Sequence, residues 1–381
     1  MSAVHPALSV PFDELLDRLK AEFHAGNVRV VQDGPLWLWA YQEDCARERR
    51  WNQWNTLARG LILDMEKRRV VATPFPKFFN YGEREGALPD EPFEVTEKLD
   101  GSLGIIFYHG GRWRVATKGS FASDQAKWAE AWLLTHWPGT RQLNCDVTYL
   151  AEIIYPENRI VIDYGDFSGL VLIGAYRRET GELSRAELET EAYWLSMKVV
   201  ETHAGKSLDD LLALAKTIPH TSEGFVVRFA SGLRIKIKGD EYLRVHKIMS
   251  NCTPLGIWEL MVAGDNLDAI RKELPEEFHA DFNAIWSIFR TKSFEFRERV
   301  KSLVAEYSCF SDKELGLLLA RRKGHPCERF VFPARKSGFL ENTLIHGHPD
   351  RRKMFNEFRP HANWLEGYTP SSAANRFTEA S

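Results

Sequence analysis

The sequence predicts an α+β protein in two parts: antiparallel sheets interrupted by helices over residues 1–250, then a small all-α domain over residues 251–381. Three observations carry this. From Val28 to Lys238 short apolar runs alternate with polar residues and are punctuated by glycine, the pattern of half-buried strands. Two pairs of these runs read as hairpins. Ser102–Tyr108 and Arg112–Lys118 flank His109-Gly110-Gly111, and Gly224–Phe229 and Leu233–Lys238 flank Ala230-Ser231-Gly232. After about residue 250 the alternation stops and apolar residues recur at helical spacing.

The elements follow in order. Residues 11–23 read as an amphipathic helix, with Phe12, Leu15, Leu16, Leu19 and Phe23 at helical spacing and Pro11 where a first-turn proline is tolerated. Two helices interrupt the sheet region. One spans 124–134, with Trp128 and Trp132 four apart; the other spans 207–217, with Leu208, Leu211, Leu212 and Leu214. Beyond 250, helices are expected at 265–274, 278–306 and 311–322. Phe282, Ile285, Trp286 and Phe289 form a stripe that Val300, Leu303 and Val304 continue. The last twenty or so residues, from Pro360, read as a loose tail.

Composition removes several classes. The chain has 381 residues, 44% apolar and 27% charged, as a globular protein does. No run of eighteen apolar residues is present, so no membrane span is expected. The N-terminus lacks a basic segment followed by an apolar core, so no secretory leader is expected. Five scattered cysteines, odd in number and without a CxxC, point away from a disulfide framework and toward a reducing, cytoplasmic setting. A net charge of −3 excludes a globally basic nucleic-acid coat, so any such site is a local patch. The best candidate is 321–353, where nine lysines and arginines, among them Arg321, Arg322, Lys323, Arg335 and Lys336, face three acids. A solvated basic face is the alternative. His325-x-Cys327 and His346-x-His348 match no common zinc spacing.

The sharpest local signal is Glu97-Lys98-Leu99-Asp100-Gly101-Ser102. A lysine in a turn that opens a strand fits a nucleophile, provided that a neighbouring charge or desolvation lowers its pKa. Alone, Lys-x-Asp-Gly arises by chance in roughly one chain in ten of this length. Its company changes the weight. Thr117-Lys118-Gly119-Ser120 ends the hairpin that Lys98 introduces, and antiparallel pairing returns Lys118 to the same end of the sheet. Ala151-Glu152-Ile153, Asn158-Arg159-Ile160-Val161 and Glu223-Gly224-Phe225-Val226 follow. In Arg234-Ile235-Lys236-Ile237-Lys238 the period is two, so three cations share one face and repel unless an anion lies over them. A triphosphate is one such anion; an exposed sheet edge is the alternative.

The ordered set EKLDGS, TKGS, AEII, EGFVV and RIKIKGDEY resembles the motifs of the covalent nucleotidyl-lysine superfamily of ligases and mRNA capping enzymes. ARGLILD (58–64) and FPKFFNYGE (75–83) narrow the resemblance to the phage-type RNA ligase 1 family. It covers roughly residues 35–250 and fades in the C-terminal third. It implies an antiparallel-sheet nucleotidyltransferase domain and an ATP-dependent RNA ligase that joins 5′-phosphate and 3′-hydroxyl RNA ends, in RNA or tRNA repair, with Mg2+ or Mn2+. A separate end-healing kinase or phosphatase is a conceivable partner. Lys98 would form the lysyl–AMP phosphoramidate. Lys236 and Lys238 would steer the phosphates. Arg59 and Lys77 would contact the triphosphate, and Lys118 the phosphates or ribose. Tyr41 and Tyr242 match aromatic positions of the nucleotide site, with Glu97 and Gly101 in the nucleophile's motif. Glu152 and Glu223 would hold the metal mainly through water. Asp100 would serve the transfer or sealing steps, and Arg159 would position base or RNA.

Each assignment has a structural rival: an ion pair for Arg59, backbone contacts for Glu152 and Glu223, core packing for Tyr41 and Tyr242, and pairing with Asp163 or Asp166 for Arg159. A DNA ligase or capping guanylyltransferase is the second reading, and a non-catalytic RNA-binding protein the third. The helical C-terminal third counts against the second, because DNA ligases usually follow this domain with a β-barrel. The intact lysine set counts against the third.

Overall fold

A computed structural model describes residues 4–83, 86–136, 144–274, 276–321, 324–336, 338–361 and 363–371. The chain divides into two compact units, Met1–Leu243 and Arg244–Ser381.

The first unit holds three sheets. Strands Val28–Asp33, Leu36–Tyr41, Arg59–Asp64 and Arg69–Ala72 pair antiparallel in chain order. Their period of two gives this sheet two apolar faces. Val28, Trp39, Leu61 and Leu63 receive Leu15, Leu16 and Leu19 of helix Phe12–His24. Leu36, Leu38, Ala40 and Ile62 pack on Ile105, Phe107 and Leu150 of the second sheet. That sheet runs in the order Gly181–Glu182, Gly169–Arg177, Val147–Ile154, Ser102–His109, Arg112–Ala116. Helices Asp124–His136 and Arg185–Leu195 cover its other face. The third sheet orders Phe79–Asn80, Arg234–Lys238, Gly224–Phe229 and Phe93–Glu97. Phe225, Val227, Ile235 and Ile237 pack against Leu211 and Ala215 of helix Leu208–Ala215, which leaves Lys236 and Lys238 on the opposite face.

Several boundaries differ from the sequence-based expectation. The first hairpin turns on Gly110-Gly111 alone, both with positive φ (62° and 81°), so His109 stays in the ladder opposite Arg112. Its return strand ends at Ala116, and Lys118 lies beyond it in a turn closed by Thr117 N–H to Ser120 O at 2.9 Å. The helix at Arg185–Leu195 was not expected. It opens on a full capping box, Ser184 with Glu187, and buries Leu188, Ala192 and Leu195. The pairing is not wholly antiparallel: Lys198–Val199 and Phe79–Asn80 each add a two-residue parallel pair.

In the second unit the helix Glu276–Glu306 is the spine, and it buries Phe282, Ile285, Phe289, Val300 and Leu303. Around it come helices Pro254–Ala263, Leu267–Glu273 and Asp312–Ala320, then the shorter Val331–Lys336, Phe339–Asn342 and Pro349–Asn356. His325 and His348 cap helix starts through their Nδ1 atoms. The tail is not loose as far as it is described. Leu365 is buried, and buried Asp281 accepts hydrogen bonds from the Tyr368 hydroxyl (2.8 Å) and the Ser371 N–H (2.9 Å). A buried carboxylate needs donors, and the tail provides them. No helix among the described residues is long and apolar enough to cross a membrane.

Candidate active site

Lys98 follows directly on strand Phe93–Glu97, and its N–H donates to the Gly224 carbonyl at 2.8 Å. Its Nζ reaches Glu223 Oε2 at 2.7 Å, and Lys238 Nζ takes the other oxygen at 2.9 Å. Burial alone would raise the Glu223 pKa; the two lysines hold the carboxyl below its ordinary value. Glu223 was expected as a metal carboxylate. Here both of its oxygens hold ammonium groups.

The turn after Lys98 is rigidly held. The Gly101 N–H donates to Glu152 Oε1 at 3.1 Å. A Cβ at Gly101 would stand 2.6 Å from the Ile153 carbonyl, so close approach of two strands excludes any side chain there. Asp100 is buried. Its Oδ2 accepts from Val161 and Ile162 N–H (2.8 and 2.9 Å), and its Oδ1 from the Tyr242 hydroxyl at 2.8 Å. Asp100 therefore ties the Lys98 turn to the loop that carries Arg159, and Tyr242 is its hydroxyl donor. Arg159 itself pairs with Asp163 at 3.2 Å. Glu97 stands apart. Its pKa is raised by burial and then by Glu201.

Glu152 is half-buried, and desolvation lifts its pKa to about 7; Lys98 and Arg59 oppose this and Glu223 adds to it. Only one of its oxygens is engaged by the Gly101 N–H.

A cluster of cations completes the site. Burial first, then Lys77, Lys238 and Lys98, bring the Lys236 pKa down to about 7. Burial lowers the Lys77 and Arg59 pKa values as well. The Arg59 Nη1 atom is buried without a hydrogen-bond partner. Burial would raise the Tyr41 phenol, but Lys118, Arg59 and Lys77 bring it below its usual value. These cations lie against rings: Lys118 is 5.1 Å from the Tyr41 centroid, Arg59 is 5.4 Å from Phe78, and Lys77 is 5.1 Å from Phe79 and 5.5 Å from Trp51. Among the described residues, none of Lys77, Lys118 and Lys236 has a carboxylate at ion-pair distance. The carboxylates are spent on Lys98, Lys238 and Arg234.

Arg234 was expected to share the anion with Lys236 and Lys238. Instead it is buried and paired with Glu182, which also meets Arg228 at 3.0 Å. Two further residues escaped the sequence: Glu182, which carries no motif, and Trp51, whose place beside Lys77 needs the fold.

The basic segment 321–353 is largely occupied by its own chain. Arg335 and Lys336 share Asp312 (3.2 and 2.8 Å), Lys353 pairs with Asp350 and Arg329 with Glu357, and Arg351 donates to the Met261 and Thr343 carbonyls. Arg321 is exposed; Arg322 and Lys323 lie outside the described residues.

Lys98, held by Glu223 beside Glu152 and a group of cations on antiparallel sheets, fits the fold class of the antiparallel-sheet nucleotidyltransferases. Residues 57–242, just under half of the chain, match the family model described as RNA ligase, and over that segment the chain is similar to that family. A candidate RNA ligase of Thermovibrio ammonificans is 31% identical over 203 residues, covering 49% of this chain and 52% of that protein. A candidate bifunctional polynucleotide kinase/RNA ligase of Autographa californica nuclear polyhedrosis virus is 28% identical over 242 residues, covering 55% of this chain and 34% of that protein. The chain thus spans about half or less of the length of these relatives. An archaeal ATP-dependent RNA ligase structure is 14% identical, with coverage of 78% and 83% of the two chains; its TM-score of 0.46 is too low to bear on function.

Proposed function

We propose that the protein is an ATP-dependent RNA ligase that acts through lysyl–AMP. The observation that supports it most is the placement of one lysine, Lys98, beside a group of cations that have no carboxylate at ion-pair distance among the described residues. Such a group favours a polyanion held at a fixed distance from the nucleophile. Lys98 Nζ would attack the α-phosphorus of ATP, the bond to the β-phosphate would break, and pyrophosphate would leave from Arg59, Lys77, Lys118 and Lys236 as the lysine proton goes to solvent. AMP would then pass to an RNA 5′-phosphate, and a 3′-hydroxyl would displace it. Before attack, Lys98 must leave Glu223.

The donor set fits a divalent ion only in part. Glu152 offers one oxygen, Glu223 offers none while it holds both lysines, and no group of three metal-ligating side chains occurs among the described residues. Glu152 would therefore hold Mg2+ or Mn2+ mostly through water. Such an ion would neutralise phosphate charge.

The test is ATP labelled at the α-phosphate, with magnesium, and a denaturing gel beside Lys98→Ala. A covalent label that Lys98→Ala abolishes is expected. An unlabelled wild type after pyrophosphate pretreatment, with GTP also silent, would remove the proposal; a label from GTP alone would favour the capping alternative. A tRNA substrate and an end-healing partner are proposals one step further out, and a cleaved anticodon loop is the first RNA to try.

A further inference from the structure

The mechanism above does not use the loop Arg49-Arg50-Trp51-Asn52-Gln53-Trp54, whose Trp51 ring lies beside Lys77. We infer that this loop is a track for the single-stranded RNA that carries the 5′-phosphate, with Trp51 and Trp54 as stacking platforms and Arg49 and Arg18 as backbone contacts. The inference rests on the ligase reading.

The residue types come first. Two arginines followed by two tryptophans three residues apart on a surface loop suit single-strand binding, since cations follow the phosphates and flat rings accept any base. The rings are hard to explain by a triphosphate alone. An aromatic face carries negative charge density, so it attracts cations and bases and offers nothing to a phosphate. Trp51 is half-buried, edge-on to Tyr41 (centroids 5.0 Å) and Phe79 (5.7 Å), with Lys77 at 5.5 Å. It therefore sits where the cation cluster meets the surface. Trp54, three residues on, is half-buried against the core between the first sheet and helix Phe12–His24, and carries Arg18 of that helix over its ring at 5.4 Å.

Charge on the loop is selective. Arg47 pairs with Asp44 and Arg50 with Glu48. Among the described residues Arg49 and Arg18 have no carboxylate at ion-pair distance. Arg49 is exposed; its φ of +54° is that of the left-handed residue ending helix Glu43–Arg47, where the Arg49 and Arg50 N–H groups donate to the Ala46 (3.3 Å) and Cys45 (3.0 Å) carbonyls.

The loop is also built in advance. Asn52 Oδ1 accepts from the N–H groups of Trp54 (2.8 Å) and Asn55 (3.0 Å). Asn55 Oδ1 returns the bond to the Asn52 N–H at 2.9 Å. Glu22 then takes both amides, Asn52 Nδ2 at 2.7 Å and Asn55 Nδ2 at 3.0 Å, and so anchors the loop to the helix that carries Arg18. Three side-chain bonds within the loop and two to Glu22 hold the loop in place before any ligand arrives, and such preorganisation reduces the ordering cost of binding.

The experiment is fluorescence anisotropy of a 3′-labelled, 5′-phosphorylated decaribonucleotide with the full chain in magnesium buffer. Thermal melts check that each variant is folded. Trp51→Ala and Trp54→Ala should each weaken binding about tenfold, while Trp54→Phe, which keeps a ring, should recover most of it. Arg49→Glu, at an exposed position, should weaken binding and reduce its salt dependence by about one phosphate contact. Wild-type affinity in folded Trp54→Ala and Arg49→Glu would overturn the track and leave the ligase reading intact, provided that wild type takes the AMP label. If Trp51→Ala lost pyrophosphate binding but kept the oligonucleotide, the loop would belong to the nucleotide site and the track would be wrong. A wild type that takes no label would remove the ligase reading and the track with it.

Discussion

Lys236 has the most consequential titration in the cleft. Its pKa lies near 7 because burial and three lysines disfavour its charge. The depressed value means that this group's contribution to stability is full above pH 10.5 and is lost as pH falls toward 7. An anion seated on Lys236 restores its charge, so binding above pH 7 takes up a proton. Pyrophosphate affinity should therefore be greatest below pH 7 and fall as pH rises. Lys236→Arg, charged throughout, should flatten the part of that slope due to the protein. Calorimetry in buffers of different ionisation enthalpy measures the proton directly, and an unchanged uptake in the arginine variant would place the proton on another group. Glu152 runs the other way: its pKa is raised to about 7, so its contribution is full below pH 4.5 and is lost as pH rises through 7.

Among the elements, the strand Arg234–Lys238 decides most. Its alternation was legible, with Ile235 and Ile237 in the core and three cations opposite. What could not be read was that Gly181–Glu182, a two-residue strand fifty residues earlier, brings a carboxylate to Arg234 and Arg228. Glu182 thus pins the cation-bearing sheet to the sheet that carries Glu152. Its removal leaves a buried arginine uncompensated. Glu182→Ala should cost about 3–5 kcal/mol of stability, whereas Glu182→Met with Arg234→Met should cost much less. Urea denaturation of the two variants decides, and equal losses would mean that Glu182 acts by packing rather than by charge. The helix Arg185–Leu195 shows the opposite limit: its Ser-x-x-Glu start is present in the sequence, but the strand texture around it predicts no helix there.

At the scale of the whole chain, the C-terminal unit lies beyond the segment matched by the family model, and its basic segment is mostly committed to its own carboxylates and carbonyls. Arg335, which was expected to meet RNA, is partly buried and holds the Tyr307 and Phe310 carbonyls as well as Asp312. Of the segment's described candidates, exposed Arg321 is the one best placed to meet a phosphate backbone. Arg321→Glu should lower sealing of RNA ends relative to lysyl–AMP formation on the same preparation. Equal loss of both would place the effect in folding rather than in RNA contact.

The sequence by itself determined the parts that depend on neighbours along the chain. Strand alternation, the Gly-Gly turn, the spine helix and the order of the lysine motifs are all local periodicities or short spacings. Only the tertiary structure decided which charges cancel. Glu223 lies 125 residues from Lys98, Glu182 lies 52 from Arg234, and Trp51 reaches Lys77 only because two loops converge. Charge compensation acts over a few ångströms of space whatever the separation in sequence. A list of cations therefore cannot show which are already neutralised and which remain for a ligand.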